Sequence, residues 1–126
     1  MKRERFSRPL LAAIDASHFL RIRAGARSGH RFIAIWAVVA NGRVFARSWT
    51  LKRGGWYRTF LDEPLGAIQV GDRIIRIRTV RARGERIRDA VERVYAAKYR
   101  TPASIKYVRG FRSARRRETT IEFVPR

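Results

Sequence analysis

Two apolar runs meet at Asn41-Gly42, and that dipeptide constrains the fold more than any other part of the chain. Both central residues of a type I′ turn need positive φ, which Asn and Gly tolerate, so Asn-Gly between apolar runs predicts a tight β-hairpin. Residues 31–40 form its first arm, apolar on both faces as at a sheet centre or beneath a partner subunit. Residues 43–49 return as the second arm, with Val44, Ala46 and Ser48 alternating against Phe45, Arg47 and Trp49. A loop carrying Lys52, Arg53, Gly54 and Gly55 follows and ends on Trp56-Tyr57-Arg58.

Around this hairpin the pattern predicts a short helix over residues 8–16, capped by Ser7 with Pro9 in its first turn. A strand over 18–23 and a turn over 25–29 come next. A short helix over 56–61 ends at Pro64, and a second hairpin joins 66–70 to 73–81 about Gly71-Asp72. Residues 84–99 are the clearest helix, with Ile87, Val91, Val94 and Lys98 on one face and an Asp89–Arg93 pair at i,i+4. Pro102 opens a helix to about Val108, a basic loop covers 112–117, and a last strand covers 119–124. Six mostly antiparallel strands with peripheral helices suggest a mainly β, six-stranded barrel or curled sheet, because closure removes exposed edges.

At 126 residues the chain reads as one domain, 1–126, with residues 1–8 as a mobile basic tail. It has no cysteine, which excludes disulfides, thiolate zinc sites and a Cys nucleophile and suits a reducing cytoplasm. The longest apolar run, residues 32–40, is far below the ~18 residues of a membrane span. Thirty Lys plus Arg against ten Asp plus Glu give a net charge of +20, a field that attracts polyanions. A GC-rich coding bias accounts for Arg over Lys but not for the shortage of acids.

Ile35-Trp36, Val38-Val39, Asn41-Gly42, Arg47-Ser48 and Trp56-Tyr57-Arg58 together resemble the pattern of a bacterial family, domain of unknown function 2255. Residues 94–99, then Arg117, Thr119-Thr120 and Pro125, resemble its second half. The resemblance implies a split β-barrel of the flavin-binding group, which includes pyridoxamine-phosphate-oxidase-like and deazaflavin-dependent nitroreductase-like proteins. It also implies a homodimer with FMN or a deazaflavin held between subunits. After Ser48 relatives tend to carry Arg-Gly and a polar loop reaching Trp, where this chain has Thr50-Leu51-Lys52-Arg53-Gly54-Gly55.

An anion site is expected at Arg47, Ser48, Lys52 and Arg53 with the amides of Gly54, Gly55 and Trp56, where cations and close backbone approach suit a phosphate. Its bland alternative is a solvated basic loop. Trp36, Trp49, Trp56 and Tyr57 are candidates to stack on a flat ring, with core packing the default for each. Trp56-Tyr57, followed by Arg58, is the favoured exception because it borders the cations. Tyr95, Lys98 and Tyr99 read as packing plus a snorkelling lysine. His18 and His30 are the only imidazoles and make no metal cluster, and sparse carboxylates nominate no general acid–base pair. Three functions remain: a flavin- or deazaflavin-dependent oxidoreductase, whose cofactor carries the chemistry; a non-enzymatic module binding nucleic acid through Arg76, Arg78 and the basic tracts 2–8 and 112–117; or a split barrel that has lost its cofactor and binds something else.

Overall fold

A computed structural model describes residues 5–25 and 31–126. The elements run α1 (Arg8–Ala16), β1 (Leu20–Ala24), β2 (Ile33–Ile35), β3 (Val38–Ala40), β4 (Arg43–Ala46), α2 (Trp56–Asp62), β5 (Leu65–Val70), β6 (Arg73–Arg81), α3 (Glu85–Lys98), α4 (Pro102–Gly110), α5 (Ala114–Arg117) and β7 (Ile121–Pro125). All strands pair antiparallel in one sheet ordered β2-β1-β5-β6-β7-β4-β3. The sheet has seven strands rather than six because the expected strand over 31–40 is broken at Trp36-Ala37.

That break shapes the molecule. Its two products, β2 and β3, form opposite edges of the sheet yet are joined by two residues. Three peptide units separate Ile35 from Val38, so at that end the edges lie at most about 11 Å apart. The sheet must therefore curl into a barrel with a split at Trp36-Ala37, which is the split barrel expected from the sequence. The hairpin after it forms as predicted: Asn41 has φ 53 and Gly42 φ 71, and Ala40 pairs with Arg43.

Inside the barrel Ile22, Ile68 and Ile77 are wholly buried beside Val44, Ile121 and Phe123. Phe6, Leu10 and Ile14 from the N-terminal segment and Trp56, Tyr57 and Phe60 from α2 join the same core. Each fully buried aliphatic or Phe side chain contributes roughly 1.5–3 kcal/mol of transfer free energy. The expected mobile tail is thus corrected from Phe6 onward, and Ser7 caps α1 through Leu10 N–H. Residues 1–4, the rest of the 25–29 turn and His30 lie outside the described residues. Gly66 allows β1, β5 and α2 to close up, since a Cβ there would strike the Arg23 carbonyl and the Phe60 ring.

Outside the barrel, α3 and α4 cover β3 and β4, burying Val38, Ala40 and Phe45 against Val91, Tyr95, Tyr99 and Phe111. Residues 44–48 are consequently buried at every position instead of alternating. Two further expectations are corrected. The basic loop contains α5, and Asp89 pairs with Arg117 across space. Among the described residues no helix is long and apolar enough to cross a membrane.

Candidate functional site

Breaking a strand frees backbone groups that need partners. At the split, α3 supplies them. Tyr95 Oη donates to the Trp36 carbonyl at 2.9 Å and accepts from Arg47 N–H at 3.0 Å. Lys98 Nζ donates to the carbonyls of Ala37 at 2.7 Å and Ile14 at 3.2 Å. Tyr99 Oη donates its one hydrogen chiefly to the His18 carbonyl at 2.7 Å, with the Ala37 carbonyl a longer second acceptor at 3.3 Å. These three side chains brace the split, so Lys98 does not snorkel. Burial pushes both phenols up and the Lys98 ammonium down from their ordinary ranges.

Beside the braced segment opens a cleft of ≈ 310 Å³ lined by Phe19, Ala34, Ile35, Trp36, Arg47, Trp49, Trp56, Tyr107 and Phe111. Trp36 stacks on Tyr99 with ring centroids 4.1 Å apart and planes 5° from parallel. Tyr107 stands edge-on to both Trp36 and Trp49, and Phe111 edge-on to Trp49. Trp49 is 41% exposed and also walls a second cleft, of ≈ 580 Å³, with Thr50, Leu51, Lys52 and Arg116. Arg116 lies 3.7 Å over the Trp49 ring and donates to its carbonyl at 3.0 Å. Gly110 leaves room for this indole, because a Cβ there would strike its six-membered ring.

The structure divides the residues singled out in the sequence. Arg47 is 2% exposed, and its guanidinium donates to Thr120 Oγ1, Glu92, and the carbonyls of Phe111 and Arg88. Desolvation lowers its pKa, with the Glu92 hydrogen bond opposing. Its donors therefore tie β4 to α3 and to the end of α4. Ser48 is wholly buried, bonded to Thr119 Oγ1 and the Thr50 carbonyl. Gly55 N–H turns inward to the Lys52 carbonyl. Lys52 lines the second cleft, whereas Arg53, Gly54 and Arg58 are exposed and line neither cleft. Tyr57 is core, and Trp56 reaches the first cleft from the core side.

The aromatic lining of the first cleft is thus Phe19, Trp36, Trp49, Tyr107 and Phe111 with Trp56; of the favoured pair, Trp56 lines it and Tyr57 does not. Sequence reasoning missed Phe19, Ala34, Tyr107, Phe111 and Arg116 as neighbours. No local spacing joins them, because curling of the sheet and docking of α4 bring them together. Below the cleft, Arg117 gathers Glu85, Asp89 and Glu92, and Glu92 also receives Arg47. Hydrogen bonds to these acids raise the Arg117 pKa.

A curled antiparallel sheet split beside an aromatic cleft defines a split-barrel protein. The chain belongs to the family described as uncharacterized protein conserved in bacteria (DUF2255), which matches residues 10–123. Its fold is similar to that of an F420-H2 dependent reductase (TM-score 0.59, 19% identity, covering 85% of this chain and 93% of that one). It is also similar to a conserved hypothetical protein from Mycobacterium tuberculosis (TM-score 0.62, 11% identity, 97% and 83%). An FAD-binding protein from Mesorhizobium loti shares the fold too (TM-score 0.53, 14% identity, 99% and 92%). No protein of curated function matches the sequence.

Proposed function

We propose that the protein is a flavin- or deazaflavin-dependent oxidoreductase whose cofactor ring enters the aromatic cleft and whose phosphate lies at its cationic neighbour. The observation that carries this reading is the shared wall: Trp49 lines both the apolar cleft and the cleft holding Lys52 and Arg116. A flavin-type cofactor has the same two-part character, a flat apolar ring system and a charged tail. The ≈ 310 Å³ cleft falls at the small end of ligand sites, room for a ring system but not for a dinucleotide. Trp36 and Trp49 would hold the ring, and Lys52 and Arg116 the phosphate. Bound there, the cofactor would supply hydride transfer, while the chain orients it and excludes water. Structural neighbours that bind F420 or FAD support the reading.

Arg53, Gly54, Gly55 and Arg58, also expected at the phosphate, would serve only as the rim of the loop that presents Lys52. Arg47 and Ser48 would support that loop from beneath, and Tyr57 would anchor the start of α2. The cleft mouth is apolar and open, with Phe19 52%, Trp49 41% and Tyr107 39% exposed. A second copy of the chain is the cover we assign to it, making a homodimer. One structural neighbour is described as a domain-swapped dimer (22% identity, TM-score 0.58). The cysteine-free composition suits the cytoplasm, the compartment this reading assigns.

The test is titration of the purified protein with FMN, FAD and F420, followed by calorimetry and tryptophan quenching, alongside native mass spectrometry. Binding of one cofactor, weakened at least tenfold by Trp49→Ala or Arg116→Ala, is expected. Failure of all three cofactors to bind would overturn the reading.

A further inference from the structure

The outward face of β1, β5 and β6 lies on the other side of the sheet from the core, and none of its strands contains an acid. The register fixes what it displays. Arg21 pairs with Gln69 and Arg23 with Ala67 on one flank of β5, and Arg76 pairs with Ala67 and Arg78 with Leu65 on the other. Directly paired residues point to the same face, so all four arginines share the face opposite Ile22, Ile68 and Ile77. Among the described residues no helix covers them: Arg21, Arg76 and Arg78 are exposed, and Arg23 rests over the Phe32 ring at 4.8 Å.

This arrangement is two parallel tracks of guanidinium groups. Along each strand the pair is about 7 Å apart, and the tracks are separated by two strand spacings, about 10 Å. Between them lie only uncharged Leu65, Ala67 and Gln69. Among the described residues none of the four has an acid partner, whereas Arg43, Arg47 and Arg117 each do. Several acids are committed elsewhere: Glu85, Asp89 and Glu92 to Arg117, and Glu122 to Arg43. Four unneutralised cations on one small surface repel each other within about a Debye length, which costs stability unless an external anion relieves it.

We infer that this face is a binding surface for the sugar–phosphate backbone of a nucleic acid, separate from the aromatic cleft. A phosphodiester chain is a linear array of single negative charges, and guanidinium groups in tracks match it with bidentate donors. Phe32 is already capped by Arg23, and Leu65, Ala67 and Gln69 put no ring between the tracks, so among the described residues the face offers phosphate contacts rather than base stacking. Binding is therefore indifferent to sequence. The overall charge alone would attract polyanions to any side, so the test must separate the face from the field.

Fluorescence anisotropy with a labelled 20-base-pair duplex and an oligothymidine, at increasing NaCl, measures both affinity and salt slope. Each phosphate neutralised contributes about −0.9 to the slope on duplex DNA, so four contacts give about −3.6. Arg76→Glu/Arg78→Glu should weaken binding at least tenfold and bring the slope toward about −2. Arg100→Glu/Arg109→Glu changes the net charge equally on exposed residues before and within α4 and should cost under threefold. Arg76→Gln/Arg78→Gln repeats the test if the reversed pair unfolds, with circular dichroism as the check on folding. No binding at 50 mM salt, or equal losses in the two reversed pairs, would overturn the inference. Polyglutamate or phosphatidylserine vesicles binding as tightly as the duplex would also overturn it, in favour of an acidic protein or a membrane.

Discussion

Tyr95 shows how much of the site depends on one atom. Its hydroxyl bridges the buried face of α3 to both Arg47 N–H and the Trp36 carbonyl, and the residue is 1% exposed. Tyr95→Phe keeps the packing but strands a donor and an acceptor away from water. A loss of about 1–3 kcal/mol is expected, seen as a lower urea midpoint at unchanged slope. A midpoint within error of the parent would mean that the hydroxyl bridges nothing of consequence. Gly110 makes the complementary case. Gly110→Ala places a methyl group against the Trp49 ring, and the half-exposed indole is free to swing outward. The near-ultraviolet aromatic dichroism should change while the far-ultraviolet spectrum stays the same, and flavin affinity should fall. Neither role is legible in the chain: Tyr95 reads there as helix packing, and nothing in the local pattern singles out Gly110. Each acts on a partner tens of residues away.

Local rules recovered most of the elements and missed the one break that matters. The helix expected over 84–99 is Glu85–Lys98, and the Asn41-Gly42 hairpin has the predicted register, because short-range spacing and turn geometry decide both. Residues 31–40 contain no Gly or Pro, so nothing local marks Trp36-Ala37 as the split. Donors of α3 satisfy the Trp36 and Ala37 carbonyls at the interruption, and those contacts are tertiary. The same helix sets the alkaline behaviour of the fold. Burial holds the Tyr95 and Tyr99 phenols protonated above their ordinary 10.0. Above about pH 10 the unfolded chain releases these protons first and binds fewer than the folded one, so stability must fall with rising pH. Lys98 acts with opposite sign. Its folded pKa lies below 10.5, so on approach to that pH the unfolded chain binds more protons and stability gains slightly. Urea titrations from about pH 8 to 11 should therefore show a plateau or small rise followed by a decline. Tyr99→Phe should flatten the decline, and Lys98→Met should remove the rise. A decline of the same steepness in Tyr99→Phe would show that the phenol carries no linkage.

At the scale of the whole molecule, charge is the property that the fold only partly accommodates. Thirty cations face ten acids. Among the described residues Arg47 and Arg117 share Glu92 beside α3, while Arg21, Arg76 and Arg78 stand exposed on β1 and β6. Folding brings these like charges closer than they are in the unfolded chain, so screening should favour the folded state. The melting temperature is expected to rise by several degrees as NaCl goes from about 20 mM to about 300 mM, against the usual weakening of surface ion pairs. Screening depends on ionic strength alone, whereas a polyanion that occupies the arginine tracks acts by mass action. Short duplex DNA at micromolar concentration should therefore raise the melting temperature at low salt, and Arg76→Gln/Arg78→Gln should lose that rise. The same substitution removes part of the repulsion, so it should also raise the melting temperature in low salt without DNA. A variant that melts at the parent temperature in low salt would show that the tracks carry no electrostatic cost.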